Sequence, residues 1–126
     1  MSDGEVEKSA GHELSLSLDA VFELLADRRR RYALYELADV RRGVIDFADL
    51  VEAVATLEAA VDGEAITRDR YLEVASELYH WHLEVLADVG VVDYDERSRA
   101  VRYWTQPALE TWLHRARLDE LAPDGG

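Results

Sequence analysis

Arg97, Arg99 and Arg102 lie within one short polar stretch, DERSRAVR. Guanidinium groups at this density suit one chemistry well: charge-assisted, often bidentate bonds to phosphate oxygens. Arg68 and Arg70 form a second such group just after Thr67. Ser76 and His80, further along the same segment, can donate to or accept from the edges of bases. Arg68, Arg70, Ser76, His80, Arg97, Arg99 and Arg102 are therefore the candidate contacts to double-stranded DNA. The competing expectation for the last three is a solvated hairpin whose arginines pair with Asp93, Asp95 and Glu96. The run Arg28 to Arg31 is expected to neutralise nearby acids, and Arg41 and Arg42 to sit in a solvated loop.

Other chemistries find little footing. There is no cysteine, hence no thiolate nucleophile and no disulfide. The chain has no Gly-rich phosphate loop and no G-x-S-x-G elbow. His80 and His82 are two apart, so on a helix they point roughly 160° away from each other and cannot share one metal. His82 reads as a core histidine bonded across a helix pair. Ser17, His12 and Asp19 lack any supporting frame. The expectation is a protein that is not an enzyme and holds neither metal nor cofactor.

The elements that would position these residues are mostly helical. Residues 1–13 are polar and acidic without period and read as a disordered tail. Ser17 or Ser15 can cap a first helix carrying Leu18, Val21, Phe22 and Leu25. Asp27 can cap a second, with Ala33, Leu34, Leu37 and Ala38 behind the arginines. Gly43 marks a turn, Val44-Ile45 suits a short strand, and Asp46 opens a third helix through Phe47, Leu50, Val51, Val54 and Leu57. A loop over residues 60–66 leads to Thr67, the cap of a long helix running to about Val89. Gly90 stands where a helix end favours a residue at ease with positive φ. Residues 91–94 and 100–103 then alternate like two half-buried strands around a polar tip. Thr105-Gln106-Pro107 starts a last amphipathic helix over residues 105–120, with a flexible end over 121–126.

A helix, a glycine stop and a basic-tipped hairpin are the parts of a winged helix-turn-helix, so the fold class expected is mainly α with a small β-hairpin, one domain over residues 14–104. The words LSLDAVFELLADRRRRYALYEL (Leu16 to Leu37), DFADLVEAVA (Asp46 to Ala55) and LYHWHLEVLADVGVVDYDE (Leu78 to Glu96) carry a further resemblance. With them the chain resembles a family of small winged-helix proteins of halophilic archaea regarded as transcriptional regulators, and is more distantly similar to the ArsR and MarR classes. The resemblance implies a positioning helix over 47–58, a recognition helix over 69–89 and a wing from Asp93 to Tyr103. One departure is that Glu84 and Val85 stand where the family pattern has Pro and Lys, which removes a base from the helix expected to face phosphate.

Charge sets the conditions under which such a protein works. The formal net charge is −13, and Lys8 is the only lysine among 14 basic residues. High acidity with almost no lysine suits molar salt, where the Debye length falls to about 3 Å and repulsion from DNA weakens. At about 100° per residue, Glu73, Ser76, Glu77, His80, Glu84 and Asp88 share one polar arc of the long helix. Four acids there oppose direct readout by that face. The remaining arc, about 200° wide, splits into one apolar stripe of Leu72, Ala75, Tyr79, His82, Leu83 and Leu86, and another of Tyr71, Val74, Leu78, Trp81, Val85 and Val89. The second stripe needs a cover, from the last helix or from a second copy. Tyr71, Trp81, Val85, Leu109 and Trp112 are thus the candidate interface of a homodimer or of a protein partner. The alternative function is an interaction module of the same fold that has given up DNA. No run is apolar enough to span a membrane and no secretory signal is legible, so a cytoplasmic protein is expected.

Overall fold

Four helices begin where a short polar side chain can accept a bond from an otherwise orphaned backbone N–H. In this computed structural model, which describes residues 16–121, Ser17 accepts from the Ala20 N–H at 3.1 Å and opens α1 (Leu18–Leu25). Asp27 accepts from Arg30 at 3.0 Å at the head of α2 (Arg28–Asp39). Asp46 accepts from Ala48 at 3.0 Å to start α3 (Phe47–Asp62), and Thr67 from Arg70 at 3.0 Å to start α4 (Arg68–Glu77). The expected tail over residues 1–13 and the end beyond 121 lie outside the described residues. Residues 60–62, read from sequence as loop, prolong α3; the helix stops at Gly63, whose φ of 70° suits a residue without a Cβ.

From α4 the chain passes without interruption through a π-helical turn (Leu78–His82) into α5 (Leu83–Asp88). The constant α-helical twist expected from the periodicity is broken here by the π turn. Val74, Leu78, His82 and Leu86 are all buried and recur every four residues. In a straight α-helix each step of four overshoots a full turn by about 40°, so three steps would carry Leu86 about 120° away from Val74. The wide turn, with the Leu83 N–H bonded to the Leu78 carbonyl, absorbs that drift. The inward face therefore uses one apolar stripe before the turn (Val74, Leu78) and the other after it (His82, Leu83, Leu86). The 200° arc that seemed to require a second covering surface is largely resolved within the chain. Leu72 and Trp81 remain about half exposed, at 50% and 46%.

The expected two-stranded hairpin is part of a three-stranded antiparallel sheet in the order β1-β3-β2. Strand β1 (Val44–Asp46) pairs with β3 (Ala100–Tyr103), setting Val44 opposite Arg102; β2 (Val92–Asp95) pairs with the other edge, setting Asp93 opposite Arg102. Bonds beyond the strands tie both ends: Tyr103 N–H to Gly43 O at 2.7 Å and Phe47 N–H to Arg99 O at 2.8 Å. The start of α3 is thereby fixed to the hairpin tip. Tyr32, Leu34, Leu37, Leu50, Val51 and Val54 form the centre of the core, and Val92 and Val101 join it from the sheet.

Helix α6 (Pro107–Leu121) begins at proline, as the sequence suggested, and docks on α2. Leu109, expected at an interface with another chain, is fully buried in this chain's own core, because its side of α6 lies on the domain rather than on solvent. Arg31 Nε and Nη2 reach Glu120 at 2.8 and 2.6 Å, the Tyr35 hydroxyl donates to the same carboxylate at 2.8 Å, and Arg117 holds Asp39 at 2.9 and 2.8 Å. The bond to Arg31 holds the Glu120 carboxyl below its ordinary value of 4.5. A carboxyl depressed by folding stabilises the protein above its ordinary value, and that contribution fades as pH falls through the lower folded one. Glu120→Gln is accordingly expected to flatten the acid limb of a stability-against-pH curve below pH 4.5, measured by denaturant titration; an unaltered limb would show that the α6 clasp carries no linkage.

Candidate functional site

The 13 arginines divide into two populations once their partners are placed. Arg28 pairs with Asp62 at 2.9 Å. Arg29 clasps Glu58 at 2.5 and 2.7 Å and also meets Glu73 at 3.2 Å and Glu77 at 3.3 Å. Arg30 is buried and donates to the Leu24 and Glu23 carbonyls at 3.0 and 3.2 Å, closing the end of α1. Arg31 joins Glu120 and Arg117 joins Asp39, as above, while Arg115 faces Asp119 at 3.5 Å. Four arginines at the head of α2 oppose the helix dipole, and this set of carboxylates and carbonyls compensates them. The expectation that Arg28 to Arg31 neutralise acids holds, with Arg30 serving backbone carbonyls instead.

Arg70, a candidate DNA contact, belongs to this paired population. It reaches Glu58 at 3.0 Å, Asp62 at 3.4 Å and Glu64. Glu58 is thus a hub: its buried carboxylate receives Arg29 from α2 and Arg70 from α4 while sitting on α3. The sequence reading missed Glu58. Its signal was a charge on the buried face of α3, in register with Val51, Val54 and Ala55.

Arg41, Arg42, Arg68, Arg97, Arg99 and Arg102 form no ion pair with any carboxylate among the described residues. Five of these six belong to the sheet end of the molecule. Arg41 and Arg42 precede β1, Arg102 lies on β3 opposite Val44, and Arg97 and Arg99 occupy the hairpin tip. Arg102 lies over the Trp104 ring at 5.4 Å and Arg99 over Phe47 at 5.8 Å, contacts that leave guanidinium donors free. Arg99 adopts φ 64°, the single positive value among non-glycine described residues, which forms the tight end of the hairpin.

The three acids named as alternative partners for these arginines are engaged elsewhere. Asp95 accepts from the Arg97 backbone N–H at 3.2 Å and from Ser98 Oγ at 2.9 Å, building the turn. Asp93 accepts from Trp104 Nε1 at 2.8 Å. Glu96 accepts from the Tyr79 hydroxyl at 2.9 Å, which raises the Tyr79 hydroxyl above its ordinary value and keeps it a donor. That bond links the hairpin tip to the long helix. Phe47 and Tyr94 each meet the Tyr79 ring edge-on and each other at a tilt, with centroids 5.7 to 6.1 Å apart. Beside them a groove of about 290 Å³ runs between helix and hairpin, lined by Tyr79, His80, Leu83, Glu84, Tyr94 and Glu96.

Ser76 and His80 are exposed on the long helix, along with Asp69, Glu73, Glu84 and Asp88. Arg68 is the one arginine of that helix without a carboxylate partner among the described residues. The candidate interface residues separate as well: Tyr71 and Val85 are half-buried, whereas Trp81 and Trp112 are exposed. Trp112 meets Phe22 edge-on at 5.2 Å where α6 crosses α1. Among the described residues no helix is long and apolar enough to cross a membrane.

These features define a mainly helical domain with a three-stranded antiparallel sheet and an arginine-bearing hairpin. The chain matches the family described as a domain of unknown function, DUF7344, over residues 22–102, and belongs to that family. Comparison with curated proteins and with solved structures gives no match.

Proposed function

We propose that this protein is a DNA-binding transcriptional regulator of the winged helix-turn-helix class, working at high salt. The element order supports the fold assignment: α2, β1, α3, the long helix, then β2 and β3, with β3 between the other strands. In this reading α3 is the positioning helix, the long helix the recognition helix, and the hairpin the wing. The observation that carries the function is the partition of the arginines. Those of the interior are paired, and those of the wing and its neighbours keep donors for phosphate or for a minor groove.

Arg97, Arg99 and Arg102 are the proposed principal contacts, with Arg68 at the head of the long helix and Ser76 and His80 as base contacts. Arg70 acts at one remove by holding α4 to α3 through Glu58. Selection from a random duplex pool at about 1 M KCl tests the assignment. Enrichment of a common motif supports it; a folded protein that enriches nothing contradicts it.

A second reading, an interaction module without DNA, is favoured by the acids on the long helix and by the exposed Trp81. Under either reading we propose a homodimer through the edge where Leu18, Phe22 and Trp112 are exposed. Light scattering is expected to give twice the chain mass of 14.3 kDa, and one chain mass for Trp112→Ala; a wild-type monomer removes the dimer from the account.

A further inference from the structure

The groove between the long helix and the hairpin has a charge pattern that contact with DNA does not use. Two carboxylates line it, Glu84 from α5 and Glu96 from the hairpin tip. Neither forms an ion pair among the described residues. No arginine or lysine belongs to the lining. Arg99, whose charge reaches the Tyr79 hydroxyl, is drawn over the Phe47 ring at 5.8 Å and stays out of it. Glu84 is also one of the acids that oppose readout of bases by the long helix, so its place calls for another use.

The rings that share this groove stand at right angles. Tyr79 meets Tyr94 with centroids 5.9 Å apart and planes at 83°, and meets His80 at 4.9 Å and 85°. Perpendicular rings form the corner of a box, where each turns part of its π face to the same space. The corner is held from both sides. Phe47 packs against Tyr79 and Tyr94 at 6.1 and 5.7 Å, and the Tyr79 hydroxyl donates to Glu96 at 2.9 Å. That bond fixes the ring and occupies its one donor. Leu83, which is buried, adds an apolar wall. The space of about 290 Å³ lies near the small end of ligand sites.

We propose that this groove binds a quaternary ammonium head group, carried by a small molecule or by a trimethylated lysine. Such a cation has no N–H, is weakly hydrated and spreads its charge over methyl groups. It therefore gains from ring faces and from nearby carboxylates without needing aligned acceptors. A guanidinium or a primary ammonium needs acceptors converging at hydrogen-bond distance, and Glu96 already serves Tyr79. A metal ion suits the site less, since no group of three metal-binding side chains exists among the described residues. An anion would meet two carboxylates and no base. The site goes beyond the proposed DNA function and does not rest on it.

The test is an NMR titration of the full chain without DNA, at about pH 8 so that imidazole is uncharged. Tetramethylammonium chloride is compared with equal concentrations of KCl. Saturable shifts are expected for the Tyr79, Tyr94 and His80 rings and for the amides of Glu84 and Glu96, with a dissociation constant on the order of 1–10 mM. The methyl protons of the cation should move upfield, as protons over ring faces do. Choline should bind as well, and a neutral alcohol of the same shape, with tert-butyl in place of trimethylammonium, about tenfold more weakly. Tyr94→Leu and Glu84→Gln should each weaken binding by about three- to fivefold. A trimethyllysine peptide that binds at least about tenfold more tightly than choline assigns the head group to a protein; equal or weaker binding assigns it to a small molecule. The site is overturned if the shifts do not saturate by about 0.1 M, if they spread evenly over the other acidic faces, or if the neutral alcohol binds as well as choline. Unchanged affinity in Glu84→Gln, a change at an exposed position that keeps the fold, overturns it too, whether or not Tyr94→Leu folds.

Discussion

Glu58→Ala is expected to lower the unfolding free energy by about 3–5 kcal/mol and the melting temperature by roughly 10–20 °C. The side chain is 3% exposed and receives bonds from guanidiniums of two different helices. Its removal leaves Arg29 and Arg70, 14% and 17% exposed, facing a hole in place of a carboxylate. An ion pair need not be worth much against an apolar substitute, but breaking one from a single side leaves charge uncompensated. Glu58→Gln keeps the volume and some of the bonds, so it should fall between wild type and alanine. Because Glu58 is buried, raising KCl from about 0.2 to about 3 M should leave most of the penalty in place. Denaturant melts of the three proteins at both salts check this. A penalty below about 1 kcal/mol would mean that the hub is as dispensable as an exposed pair such as Arg115–Asp119, both 71% exposed.

The second large effect concerns binding. Arg97, Arg99 and Arg102 replaced together by alanine are expected to weaken duplex binding by about 100-fold at moderate salt, taking roughly 1 kcal/mol per lost phosphate contact. The slope of log affinity against log salt should fall by about 3, one unit for each contact. Stability should stay near that of wild type, since none of the three side chains joins an ion pair among the described residues and all are exposed. Circular dichroism melts alongside anisotropy titrations separate the two quantities. Unchanged affinity and slope in a folded triple variant would remove the hairpin from the interface.

Helix starts were the most legible feature of the sequence. Ser17, Asp27, Asp46 and Thr67 each cap the helix that their position suggested, because a cap is a bond between residues two or three apart. The turn glycines and the proline at the head of α6 were legible for the same local reason. The pairing of β1 with β3 was not, since Val44 and Arg102 are far apart in sequence and nothing near either names the other. The π turn is hidden from a periodicity that presumes one fixed twist, although the four-residue recurrence of Val74, Leu78, His82 and Leu86 is its trace in the sequence.

The candidate site was legible as residue types and not as availability. Arg70 and Arg97 look alike in sequence, yet one is bound by Glu58, Asp62 and Glu64 while the other has no carboxylate partner among the described residues. Leu109 and Trp112 both suited an interface, and only the way α6 lies on the domain separates the buried one from the exposed one. Ion-pair choice and helix orientation are set by tertiary packing, where local pattern carries little information.

The central claim is that an acidic domain reads DNA through arginines left unpaired at one end. Its most direct test is fluorescence anisotropy of the full chain against labelled duplexes, the selected motif and a scrambled one, from about 0.2 to about 3 M KCl. The account predicts binding of the motif that outlasts binding of the scrambled duplex as salt rises. Equal binding of both duplexes at every salt, or none at any, by a folded protein would contradict it.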